Sequence, residues 1–88
     1  MARIRARHVC SPSQLQAFGA ALEMEDSADL SRCLLQIDRS ARALKLFHLA
    51  ALARDCEHSV AGGGVGSARP RLAALLAVLE AAAAGPEA

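Results

Sequence analysis

The side chains that could bind a metal ion or carry a reaction are few in this chain of 88 residues. Its three cysteines, Cys10, Cys33 and Cys56, are evenly spread and match no zinc-binding spacing. The nearest pair of metal ligands, Cys56 and His58, leaves a tetrahedral site incomplete. We therefore expect no metal site, no cofactor, and free thiols in a reducing, cytoplasmic setting.

A group of carboxylates around residue 25 is the second candidate for chemistry. Its members are Glu23, Glu25, Asp26 and Asp29. Acidic residues are stabilised at the N-terminus of a helix by the helix dipole, so the start of a helix explains Asp26 and Asp29. Since no nucleophile or convergent base accompanies them, we expect no catalytic residue and no enzymatic activity.

A glycine-rich stretch over residues 62–67 is the third candidate, because glycine-rich loops can bind phosphate. The phosphate-binding loop of nucleotide-binding proteins ends in Gly-Lys-Ser/Thr and follows a strand, and this stretch has neither feature. The composition instead predicts a flexible loop over residues 61–67.

Helical periodicity and capping residues predict four helices, over residues 12–25, 27–44, 47–60 and 69–84. The start of the first helix is marked by Ser11 as N-cap, Pro12 at the first helical position and Gln14 in a capping box. Either Asp26 or Ser27 caps the second helix. Short connections make neighbouring helices antiparallel, so the predicted fold is all-α, an up-down antiparallel four-helix bundle.

The second predicted helix has a continuous apolar seam and one apolar residue outside it. The seam consists of Leu30, Leu34, Ile37, Ala41 and Leu44. Leu35 lies out of phase, on the polar side with Ser31, Asp38, Arg39 and Arg42.

The apolar register slips after Leu44, which predicts a kink or tight turn over residues 44–47. A left-handed Lys45 in that turn would cost about 1 kcal/mol more than glycine. One bent rod that joins the second and third helices is therefore the alternative.

The chain length predicts a single domain over residues 11–84, with a flexible basic arm at 1–10 and a tail at 85–88. The arm carries Arg3, Arg5 and Arg7, but no interleaved aromatic residues and no basic recognition helix accompany them, so we expect no nucleic-acid partner. The longest apolar run is shorter than the roughly 18 to 20 residues of a membrane span, so no membrane association is expected.

Residues 40–57 combine helical periodicity with a spacing that resembles part of the signature of histidine-containing phosphotransfer (HPt) domains. That family has a His-x-Leu-Lys-Gly-Ser-Ala segment, a Leu-Gly turn, and a helix of the form Leu-Ala-x-Leu-x-x-x-Leu-Glu. When Ser40 and Ala41 are placed on the family's Ser-Ala, the phosphorylatable histidine falls on Leu35. The resemblance covers about residues 20–60 and implies a four-helix bundle that meets receiver domains or sensor kinases.

Four positions depart from the HPt signature. Leu35 replaces the histidine, Asp38 the lysine, Arg39 the first glycine and Lys45 the later glycine. Leucine has no lone pair to attack phosphorus, so a phosphohistidine at this position is chemically excluded. His48 is an alternative carrier, but it lacks the neighbours that the family provides.

The resemblance to a degenerate HPt domain implies a docking surface without a phosphoryl carrier. The predicted partner-binding residues are Leu35, Asp38, Arg39, Arg42 and Ser31. The predicted partner is a response-regulator receiver domain or a histidine kinase of a bacterial two-component phosphorelay, with this chain as adaptor or inhibitor. The alternative is a small helical structural protein that self-associates as a homodimer.

Overall fold

The structure, a computed structural model, describes residues 8–84, which form three helices and no strand. Helix α1 spans Pro12–Met24, α2 spans Ser27–Ala43 and α3 spans Phe47–Ala83. The predicted all-α fold is confirmed. The predicted bundle of four separate helices is not supported, because the segments expected at 47–60 and 69–84 belong to one helical element.

Helix α3 is interrupted at Gly64, whose φ of 84° and ψ of 173° lie outside the helical region. A straight helix of 37 residues would be about 55 Å long, whereas the longest dimension of the molecule is 38 Å. The Arg71 guanidinium donates a hydrogen bond of 2.8 Å to the hydroxyl of Ser59 across the interruption. The two arms of α3, residues 47–63 and 65–83, therefore fold back on each other.

This reversal corrects the prediction of a flexible loop over residues 61–67. The backbone is helical on both sides of Gly64, and only that residue departs from helical φ and ψ angles. Its conformation is one that only glycine adopts without strain. Val60 and Val65 are both buried, so packing holds the glycine-rich stretch in place.

The starts of α1 and α2 follow the predicted capping residues. The Ser11 hydroxyl accepts a hydrogen bond of 3.2 Å from the Gln14 amide, and the Gln14 side chain accepts one of 2.8 Å from the Ser11 amide. This is the predicted capping box. Asp26, one of the two predicted N-caps of α2, accepts from the Asp29 amide at 3.1 Å.

Helix α2 ends in a tight turn built around Lys45, which has a φ of 61°. The Lys45 amide donates to the Arg42 carbonyl at 3.0 Å, and the Leu46 amide donates to the Ala41 carbonyl at 2.8 Å. These two bonds form a Schellman motif, which satisfies carbonyls at the helix end. The predicted turn is thus confirmed and the bent-rod alternative is wrong, since the two bonds offset the unfavourable backbone of Lys45.

The core lies where one face of each helix meets the others, and α2 packs most extensively against α3. Its largest fully buried side chains include Phe18, Leu30, Leu34, Ile37, Leu72 and Leu75. In the first arm of α3 the buried side chains are Leu49, Ala50, Ala53, Cys56 and Val60, whereas Leu52 is 44% exposed.

Packing begins before α1, because Val9 and Cys10 are buried. The predicted start of the domain at residue 11 is therefore too late, and the arm does not extend to residue 10. The rest of the predicted arm, residues 1–7, and the tail at 85–88 lie outside the described residues. Among the helices of residues 8–84, none combines the length and the hydrophobicity that crossing a membrane requires.

Candidate docking surface on helix α2

Helix α2 brings together on one side all five residues predicted to bind a partner. At about 100° per residue, they occupy an arc of about 100° around the helix axis. We call this set the α2 stripe; it consists of Ser31, Leu35, Asp38, Arg39 and Arg42. The buried seam of the same helix lies beside it and anchors α2 against the rest of the molecule.

The α2 stripe has an exposed apolar residue among polar and charged ones. Leu35 is 40% exposed, and Arg39 and Arg42 are also exposed. Ser31 and Asp38 are half-buried because they lie at the edge of the stripe that is nearest the core. The surface therefore offers an accessible aliphatic side chain with two guanidinium groups one to two turns further along the helix.

Asp38 and Arg42 form an ion pair within the stripe. The Arg42 Nε atom donates to Asp38 Oδ1 at 2.9 Å, and the Asp38 side chain is only 14% exposed. The Asp38 carboxylate thus orients the guanidinium of Arg42. The i,i+4 spacing of these residues was the sequence signal for this pair.

Arg39 makes no ion pair with any residue between 8 and 84. Its neighbour on the exposed side of α2, Arg32, is paired with Asp29 at 3.0 Å. Because a guanidinium presents several donors in a planar fork, Arg39 can bind a carboxylate through two hydrogen bonds.

Phe47 is an exposed aromatic residue that the sequence did not assign to the site. It is 61% exposed and lies at the first position of α3, directly after the turn that ends α2. Aromatic residues are enriched in protein interfaces. The sequence signal that could have identified it is the scarcity of aromatic residues, because the chain has two phenylalanines, no tryptophan and no tyrosine.

His48, the alternative phosphoryl carrier, is exposed next to Phe47. It makes no side-chain hydrogen bond or ion pair within residues 8–84 that would orient its ring.

Within residues 8–84, no three side chains of the His, Cys, Asp or Glu type converge to form a metal site. The buried residues of this range are all hydrophobic.

Comparison of the chain with protein-family models, with curated proteins and with solved structures finds no match. The HPt resemblance of about residues 20–60 therefore stays a prediction from the sequence.

Proposed function

We propose that this chain is a non-catalytic, HPt-like protein that binds a receiver domain or a sensor histidine kinase of a bacterial two-component phosphorelay, as an adaptor or inhibitor. The observation that carries this proposal is the exposure of Leu35 at the position that the HPt signature assigns to histidine. Arg39 and Arg42 extend the same surface.

The chemistry of the α2 stripe suits a partner surface with an apolar centre and an acidic edge. Burial of an exposed leucine contributes apolar contact area, while arginines at the rim attract carboxylates and speed encounter. The HPt family that this chain resembles meets receiver domains, whose phosphoryl-accepting aspartate lies among other acidic residues. A receiver domain therefore has such a surface. Charge complementarity therefore favours the receiver over a basic or neutral partner.

Binding through Leu35 would occupy the partner without accepting its phosphoryl group. The leucine side chain has no nucleophilic atom, so the phosphoryl group stays on the partner's aspartate. A complex of this kind blocks a true phosphotransfer domain from the same surface. This consequence is the reason for proposing an inhibitor or an adaptor and not a relay component.

The proposal is tested by calorimetric titration of the chain into a panel of purified receiver domains and kinase dimerisation domains. We expect a one-to-one complex with a member of the panel. The Leu35→Ala change should weaken it by about 1–3 kcal/mol, as for a residue at the centre of an interface. The matched control is Leu52→Ala, because Leu52 has a similar exposed fraction, 44%, but lies on α3. Equal effects of the two changes, or no complex with any panel member, would contradict the proposal.

A second candidate is self-association through α3. Leu52 and Val78, which are 44% and 45% exposed, line one cavity of about 270 Å³ between the two arms of that helix. Burial of these side chains in a homodimer would stabilise each protomer as the concentration rises. A single monomeric species by sedimentation across the micromolar range would exclude this function.

A further inference from the structure

Two of the three cysteines line the same cavity. Cys10 and Cys33 face a space of about 410 Å³ between the start of α1 and the side of α2 that lies away from the α2 stripe. Gln14 of α1 and Gln36 of α2 complete opposite walls of this cavity. Two cysteines that are far apart in the sequence thus line one surface cavity.

The two thiols differ in exposure and in how their backbone is held. Cys10 is 6% exposed and lies in a turn before the N-cap Ser11, outside any helix. Cys33 is half-buried in the middle of α2. Because the turn lacks the hydrogen-bond ladder of a helix, Cys10 can move toward Cys33 at a lower cost than the reverse.

Burial in this part of the fold affects the acidity of both thiols. Burial, and then the neighbouring Cys33, raise the pKa of Cys10 to about 11. Burial is also the main cause that raises the pKa of Cys33; Asp29 adds to this effect and Arg32 opposes it. Both thiols are therefore largely protonated near neutral pH, so their reaction with an oxidant is slow. The shared cavity, and not the acidity of the thiols, distinguishes this pair from Cys56.

We propose that Cys10 and Cys33 form a reversible disulfide by exchange with a low-molecular-weight disulfide such as oxidised glutathione. The Cys33 thiol loses its proton, and its sulfur attacks one sulfur of the small disulfide. A mixed disulfide forms, and one small thiolate leaves and takes up that proton. Cys10 then loses its proton and attacks the sulfur of Cys33, which releases the second small thiol. Two protein thiols are oxidised to one disulfide while the small disulfide is reduced to two thiols.

The disulfide would tie the N-terminal turn to the middle of α2 without covering the α2 stripe. Cys33 and Leu35 lie about 160° apart around the helix axis. The bridge closes a loop of about 20 residues, which restricts the unfolded chain more than the folded one. The inference is independent of the proposed function, because it concerns the stability of the fold and not the docking surface.

The experiment exposes the folded, full-length chain to mixtures of reduced and oxidised glutathione, then alkylates the remaining thiols and maps the peptides by mass spectrometry. We expect a Cys10–Cys33 linked peptide, a free Cys56 thiol and no retained glutathione. The oxidised chain should unfold at a higher temperature than the reduced chain, and reductant should reverse the difference.

The matched control is Cys56→Ala, which removes the third thiol and should leave the Cys10–Cys33 bridge intact. Cys10→Ala should instead retain glutathione on Cys33, since no second thiol resolves the mixed disulfide. Stable glutathione on Cys33 of the unaltered chain, a disulfide-linked dimer, a bridge to Cys56, or three unreacted thiols would each overturn the proposal. The unaltered chain alone therefore decides the outcome even if a variant fails to fold.

Discussion

Leu34 and Leu35 are adjacent leucines on α2, yet the fold constrains them differently. Leu34 is fully buried in the core, whereas Leu35 is 40% exposed on the α2 stripe. The first belongs to the seam that holds α2 in place, and the second lies outside that seam. Leu35 is therefore available for contact with a partner, because it is not one of the buried residues that form the core.

The two sides of α2 also differ in charge. The seam around Leu34 contains only apolar side chains, because a charge buried there would lose its hydration without a partner. On the α2 stripe, Arg39 and Arg42 are exposed to water, and the half-buried Asp38 is paired with Arg42. Changes on the stripe should therefore affect binding, and changes in the seam should affect stability.

The largest effect is expected from the pair of leucines themselves. Leu34→Ala should lower the free energy of unfolding by about 2–5 kcal/mol, because it leaves a cavity in the core. Leu35→Ala should lower it by less than about 1 kcal/mol, since the side chain is already partly hydrated. Denaturant unfolding of the two variants measures both values. A similar loss in both variants would mean that Leu35 is a core residue, and would contradict the difference between Leu34 and Leu35.

The next effect concerns the reversal in α3, the helix against which α2 packs most extensively. Gly64→Ala should destabilise the fold by about 1–3 kcal/mol, because a residue with a Cβ is strained at a φ of 84°. The cost comes from the backbone alone, since an added Cβ meets no atom within 4 Å.

Gly66→Ala is the matched control for the reversal. An added Cβ at Gly66 is likewise free of contacts, but the residue has a helical backbone. Alanine there should raise the free energy of unfolding by about 0.5–1 kcal/mol. Thermal unfolding of both variants tests the assignment, and a gain in stability from Gly64→Ala would show that α3 does not need a glycine at the reversal.

The smallest effect is expected from the ion pair within the α2 stripe. Asp38→Asn removes the charge that pairs with Arg42 and should change the free energy of unfolding by about 0.5 kcal/mol or less. The same change should speed association with an acidic partner at low salt, because it removes a like charge from the surface. Stopped-flow binding at two salt concentrations measures this rate. A slower association would show that the orientation of Arg42 matters more than the net charge.

Local patterns were enough to predict much of this fold. The capping box of Ser11 and Gln14 and the seam of α2 depend on residues within a few positions of one another, so spacing alone reveals them. The exposure of Leu35 followed from the same periodicity. The turn at Lys45 was predicted from the register slip, although its lysine is unfavourable there.

The features that the sequence did not predict depend on tertiary contacts. Glycine-rich composition suggested a loop over 61–67, but the burial of Val60 and Val65 keeps most of that segment helical. Cys10 and Cys33 line one cavity although they are far apart in the sequence. Helical periodicity predicts only contacts between residues a few positions apart, so it could not predict this one. The burial of Val9 likewise depends on packing against the completed helices.

Chemical-shift mapping would decide whether the α2 stripe is a docking surface. The ¹⁵N-labelled chain would be titrated with the panel of receiver domains, and its amide shifts followed by NMR. We predict shifts centred on Leu35, Arg39 and Arg42, with the amides of Leu52 and Val78 unchanged. No shift with any receiver domain, or shifts centred on the cavity between the arms of α3, would contradict the proposal.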